Sequence, residues 1–156
     1  MAATAPDLGF LFNHAGHVVD TELTAKLAEL DTTPREICVL GKALGAELTQ
    51  SRLGELAGLD KTTMVVTMDK LEQAGLAERR PSATDRRARI VAVTPAGEKL
   101  LAAGQKVVDQ AHSDVLSALP DADREVFIRC MTALVGDRLA KPVASDRSVR
   151  RRRKVL

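Results

Sequence analysis

The chain has 156 residues, 45% of them apolar and 28% charged, with a formal net charge of +2, which bounds it to one ordinary domain or a small domain with arms. Trp and Tyr are absent and Phe occurs only at positions 10, 12 and 127, which argues against stacking single-stranded bases on aromatic faces but leaves a duplex groove open. Two cysteines are too few for a disulfide framework, no run approaches the roughly 18 apolar residues of a membrane span, and the start lacks the basic head of a secretory signal, so the expected compartment is the cytoplasm.

The first predicted element is a helix over residues 7–30. Leu8, Leu11, Ala15 and Val18 form one apolar stripe, and Phe12, Val19, Leu23, Leu27 and Leu30 a second, the pattern of a helix buried on more than one side. In "TTPREICVLGKALG", Thr33 reads as an N-cap, Pro34 as the first helical residue and Glu36 as the partner in a capping box, with Ile37, Leu40 and Leu44 facing inward. "LTQSRLGELAGL" is a short helix capped by Thr49 or Ser51, with Leu53 and Leu56 inside and Gly58 as its stop. Asp60 caps "KTTMVVTMDKLEQAGL", whose inner face is Met64, Thr67, Met68 and Leu71 and whose stop is Gly75. Two helices meeting at "AGLD" have the spacing of a helix-turn-helix.

"LAERR" and "RIVAVT" then read as two strands of a hairpin around the polar link "PSATDRRA". Thr94 and Pro95 start a long helix to Leu119, Pro120 breaks it, and a last helix runs from about Asp121 to Ala140 with Val126, Phe127, Cys130, Met131, Leu134, Val135 and Leu139 as its apolar positions. From Lys141 onward there are seven Lys or Arg against one acidic residue, Asp146, a net of +6, so residues 1–140 carry a net of −4. That basic tail is a like-charge block of the kind that stays unfolded.

A helix-turn-helix followed by a hairpin and flanked by long helices is a winged helix-turn-helix with helical arms, a mainly α fold with a small β-wing. "LTQSRLGELAGLDKTTMVVTMDKLEQAGLAERR" and "DRRARIVAVTPAGEKL" resemble the MarR (multiple antibiotic resistance regulator) family of bacterial transcription factors. The second stretch matches that family's wing pattern of Asp, any residue, Arg, a strand, Thr and Gly. The resemblance implies a homodimer held by residues 1–32 and by the helices of 95–140. It implies a DNA-binding lobe at 33–94 that offers one helix to the major groove and a wing to the minor groove of a pseudo-palindromic operator. It also implies release from DNA by a small-molecule effector, and so a repressor. Residues 141–156 fall outside it.

With the inner face of the fourth helix assigned, spacing turns Lys61, Thr62, Val65, Val66, Asp69 and Lys70 outward. Residues near a recognition helix's N-terminus reach base edges, and two β-branched apolar residues suit thymine methyl groups, unless one of them packs on a neighbouring helix. At this point the family more often has polar or basic residues. In the wing, the resemblance makes Arg87 the residue that inserts into the minor groove and Asp85 its orienting partner. Arg86, Arg89, Arg79 and Arg80 then face phosphates; on composition alone the same loop reads equally as a solvated, charge-mixed turn. The candidate DNA contacts are therefore Ser51, Lys61, Thr62, Thr63, Val65, Val66, Asp69, Lys70, Arg79, Asp85, Arg86, Arg87 and Arg89.

His14 and His17 share a face of the first helix and His112 lies in the fifth. They read as dimer-interface or pocket-lining residues, or as a zinc site of a metal-responsive regulator. Together with Cys38 they are the candidate ligand-binding residues; Cys38 and Cys130 otherwise fall at apolar helix positions expected to hold buried, inert thiols. No Gly-rich phosphate loop, G-x-S-x-G or H-E-x-x-H occurs, so neither an enzyme nor a bound cofactor or metal is expected. The alternative to a specific regulator is an architectural protein that binds duplex broadly through wing and tail. The expected partners are double-stranded DNA, a second copy of the chain and a small-molecule effector, with no membrane.

Overall fold

A computed structural model describes residues 6–82, 88–141 and 143. The elements are α1 (Leu8–Leu27), α2 (Pro34–Ala43), α3 (Gln50–Leu56), α4 (Lys61–Gln73), β1 (Ala77–Pro81), β2 (Arg89–Val93), α5 (Pro95–Ser117) and α6 (Asp121–Gly136), with one 3-10 turn over Ala28–Leu30. This is the mainly helical, winged arrangement expected. The chain divides into two units that part between Asp114 and Val115.

In the first unit the helix starts follow local chemistry. Asp7 caps α1 by accepting from the Phe10 N–H, and Thr33 and Glu36 form the full capping box of α2. Thr49, not Ser51, caps α3 by accepting from the Arg52 N–H, and Asp60 caps α4 by accepting from the Thr63 N–H. Each such cap satisfies a helix N–H that has no partner within the helix. Gly58 and Gly75 stand at φ +65° and +69° just past α3 and α4, the left-handed conformation that lets a helix end in a tight turn. Residues 57–60 therefore reverse the chain between α3 and α4.

The core is the inward side of these elements. Leu27, Ile37, Val39, Leu40, Ala43, Leu53, Met64, Met68, Leu71, Ala77, Val91 and Leu101 form one buried cluster, at about 1.5–3 kcal/mol for each large side chain removed from water. α5 comes so close to α2 that a Cβ at Gly104 would run into the Ile37 side chain. The hairpin is antiparallel, with Arg79 opposite Val91 and Pro81 opposite Arg89. Its second strand is also held from the far side, where the Val91 N–H donates to the Leu48 carbonyl at 2.9 Å and Thr49 bridges Ile90. The wing is thus tied to the segment that enters α3.

Several inward assignments do not hold. Leu44 and Leu56 are exposed: Leu44 is the C-cap of α2, where the backbone has already left the helix, and Leu56 is the last residue of the short α3. In α1 only Leu23 and Leu27 are buried; Leu8 remains 62% exposed and Val18 47%, because no described residue of its own unit covers the helix's N-terminal half.

In the second unit α6 has no buried residue. Arg124 holds its start, with its Nε donating to the Leu119 carbonyl at 3.1 Å and an ion pair to Asp121 at 2.8 Å. Phe127, Ile128, Leu134 and Val135 are all exposed. No helix among the described residues is long and apolar enough to cross a membrane.

Candidate nucleic-acid interface

The helix expected to meet DNA is α4. Met64, Thr67, Met68 and Leu71 are buried, as the sequence spacing requires, which leaves Lys61, Thr62, Val65, Val66, Asp69 and Lys70 on the open side, all exposed. Val65 keeps 36% of its surface and Val66 51%, so neither is packed away on a neighbouring helix. Thr63 is different: its hydroxyl donates to Asp60 Oδ2 at 2.7 Å and its N–H to Oδ1 at 2.8 Å, so it serves the cap. Ser51 is exposed on α3. With Lys61 and the side of Met64 it lines a cavity of about 350 Å³ at the α3–α4 corner.

Arg79, expected to face phosphate, is engaged internally. Its NH2 donates to Asp69 Oδ1 at 2.7 Å, its Nε to Gln50 Oε1 at 2.8 Å, and its NH1 to Glu72 Oε2. Its backbone N–H adds a bond to Glu72 Oε1 at 2.8 Å. Strand alternation explains this. Position 79 points to the side of β1 where α4 lies, and there Asp69 and Glu72 stand three residues apart on one helical face. The guanidinium is matched by two carboxylates, so it braces the wing against α3 and α4 and offers little net charge to DNA. Sequence reasoning missed Glu72 and Gln50; the available signal was an acidic i, i+3 pair just before a glycine turn and a basic strand.

Among the described residues the exposed cations around this face include Lys61, Lys70 and Arg89, whereas Arg80 alternates to the other side of β1 and lines a cavity with Glu47 and Glu98. Asp85, Arg86 and Arg87 lie outside the described residues.

The ligand candidates do not converge. His14 and His17 are exposed on α1, where the His14 ring stacks on Phe10 with centroids 5.3 Å apart. His112 is exposed on α5. Cys38 and Cys130 are exposed, not buried. Cys38 sits between Ile37 and Val39 in sequence, but α2 turns Ile37, Val39, Leu40 and Ala43 inward and position 38 outward; Cys130 belongs to a helix with no buried residue. Among the described residues no three His, Cys, Asp or Glu side chains group as a metal site. A cavity of about 410 Å³ opens elsewhere, between the end of α1, the start of α2 and the end of α4, lined by residues that include Thr24, Thr33, Glu36, Lys70 and Leu76. None of the four candidates lines it.

Comparison with known proteins points to one family. The model of the MarR family matches residues 30–88, the whole span from the approach to α2 to the edge of β2. Over those residues the chain is similar to the MarR family. Solved structures similar to this chain over most of its length agree with that likeness. CouR of Rhodococcus jostii RHA1, bound to p-coumaroyl-CoA, is 27% identical, covers 94% of this chain and 100% of its own, and superposes with a TM-score of 0.78. CouR bound to a 23-mer DNA duplex, described as a transcriptional repressor, is 28% identical with a TM-score of 0.71 over 83% of this chain and 92% of its own. The Mycobacterium tuberculosis protein Rv2887 in complex with salicylic acid is 29% identical with a TM-score of 0.70, over 86% of this chain and 99% of its own.

Proposed function

We propose that this chain is a MarR-family transcriptional regulator that binds double-stranded DNA as a homodimer at a pseudo-palindromic operator, through α4 in the major groove and the β1–β2 wing beside it. The observation that carries the proposal is the open side of α4. A capped helix of 13 residues stands on the core with Lys61, Thr62, Val65, Val66 and Lys70 exposed. Beside it the wing is braced through Arg79. A helix buried on one side with a cationic and methyl-bearing outer side fits the major groove. The neighbouring structure of CouR on a DNA duplex supports the same use of the fold.

The homodimer follows from the arms. The apolar half of α1 and the apolar residues of α6 are exposed in the single chain, and surfaces of that kind in a regulator this small call for a second copy. Repression relieved by a small organic ligand is the regulatory reading, supported by the complexes of CouR with p-coumaroyl-CoA and of Rv2887 with salicylic acid. An effector can act only through its differential affinity for the DNA-competent and incompetent states.

Selection of bound duplexes from fragmented genomic DNA tests the proposal. The expected result is enrichment of one motif with two inverted half-sites about 10 base pairs apart, or a multiple of that. Recovery of fragments with no shared motif would overturn specific binding and leave an architectural protein.

A further inference from the structure

We propose that Val66, flanked by Val65, is the main specificity-determining contact of α4, and that it reads the C5-methyl groups of thymines. The proposal rests on the DNA-binding reading above and names what that helix recognises.

The argument comes from what the rest of the helix's open side is already doing. Spacing of i, i+4 and i+7 puts Thr62, Val66 and Asp69 on one outward stripe, opposite the buried Met64, Thr67, Met68 and Leu71. Asp69 is taken up by Arg79 at 2.7 Å. Glu72 is bonded to the same arginine. The Thr63 hydroxyl is held by Asp60 at 2.7 Å, and the Thr67 hydroxyl donates to the Thr63 carbonyl at 2.8 Å from a buried position. In the first two turns, where groove contact is made, the exposed side chains are therefore Lys61, Thr62, Val65 and Val66.

No Arg, Asn or Gln stands among those four, and these are the side chains that pair bidentately with guanine and adenine edges. Lys61 can reach guanine or phosphate, but it sits at the first helical position, off the central stripe. At the middle of that stripe the surface is apolar. Val66 keeps 51% of its area and Val65 36%. In the major groove thymine alone among the four bases presents a methyl group, and closing valine methyls against it removes apolar surface from water on both sides.

The test uses the full chain and the duplex recovered by selection. Thymines are replaced one at a time by deoxyuridine, which deletes the methyl and keeps every hydrogen-bonding group. Wild-type affinity should fall about fourfold at one or two positions in each half-site, the effect of one buried methyl, and be unchanged elsewhere. Val66→Ala should lose the thymine preference at those positions, its ratio of affinities falling to about one. Its melting temperature should stay close to wild type, because Val66 is half open and belongs to no part of the buried cluster. Wild-type binding indifferent to deoxyuridine at every position would overturn the proposal, and so would a Val66→Ala protein that keeps the full preference. In both cases the preferred duplex still exists, so DNA recognition stands and only the methyl reading falls; failure to recover any preferred duplex would remove both.

Discussion

The winged lobe and the apolar parts of the arms use similar side chains for opposite ends. In the lobe, Leu40, Leu53, Met68 and Leu71 are fully covered by their own chain. In α1 and α6, Phe10, Phe127, Ile128 and Val135 keep 60%, 44%, 48% and 56% of their surface. The composition of the stripes is alike; only the first kind is fully covered by described residues of the chain. Apolar surface that a fold leaves open is where a second molecule gains most by binding. The lobe thus contributes stability that one chain holds alone, and in the proposed homodimer the arms would contribute stability that depends on concentration.

The largest expected effect breaks the lobe. Leu40→Ala should destabilise by about 2–5 kcal/mol, because it removes a fully buried side chain and leaves a cavity; chemical denaturation measures it. A cost below about 1 kcal/mol would mean that this core is looser than its packing indicates. The next effect separates the two regions. Phe127→Glu combined with Val135→Glu places charge on the open face of α6 and should raise the dimer dissociation constant by tenfold or more, about 1.4 kcal/mol. Sedimentation across a concentration series checks this, and unchanged self-association would show that α6 is not the dimer surface.

How much of this was legible in the sequence differs between the same two regions. The inner face of α4 could be read outright: four residues at helical spacing between Asp60 and Gly75 leave only one packing solution. The cap of α2 was equally plain, since Thr33, Pro34 and Glu36 each act on the nearest backbone. Periodicity says which residues share a face, but not whether anything covers that face. The N-terminal part of the α1 stripes therefore reads as buried and is open, and Leu44, Leu56 and Cys38 lie outside where periodicity places them inside. Arg79 was misread for a related reason. Its partners, Gln50, Asp69 and Glu72, come from two other elements, and basic strand residues beside a helix-turn-helix suggest phosphate until those elements are set in space.

Arg79→Ala sharpens the comparison within the lobe. It removes three side-chain hydrogen bonds and leaves Asp69 and Glu72 without their cation. Stability should fall by about 1–2 kcal/mol, with the pair discounted for its partial exposure. DNA affinity should fall as well, since two uncompensated carboxylates would stand beside the groove. An unchanged melting temperature with affinity lost would assign Arg79 to direct DNA contact instead.

The smallest expected effect is at the surface contact of α1 with α5. Lys26 Nζ lies 2.8 Å from Glu22 and 3.3 Å from Asp114. The Glu22 hydrogen bond, then that from Asp114, holds the Lys26 pKa above its ordinary value. Asp114 is held below the usual carboxylate range, first by the Gln110 amide and then by Lys26. For Asp114 the stabilisation is present above its unfolded pKa and is lost as pH falls through the lowered folded value. For Lys26 it is present below the unfolded pKa and is lost as pH rises through the raised one. Around neutrality both contributions are complete and flat. Asp114→Asn should therefore shift thermal unfolding little at neutral pH and remove a small part of the acid-limb slope. A large neutral-pH loss would make this contact a structural tie between the helices.

The most direct measurement of the central claim is a competition titration. The full chain is bound to its selected duplex, at one fixed salt concentration, against a shuffled duplex of equal length and composition. A regulator that reads sequence through the open side of α4 should prefer its own duplex by roughly 10³-fold or more. A ratio near one would contradict that account and leave a protein that holds DNA by charge alone.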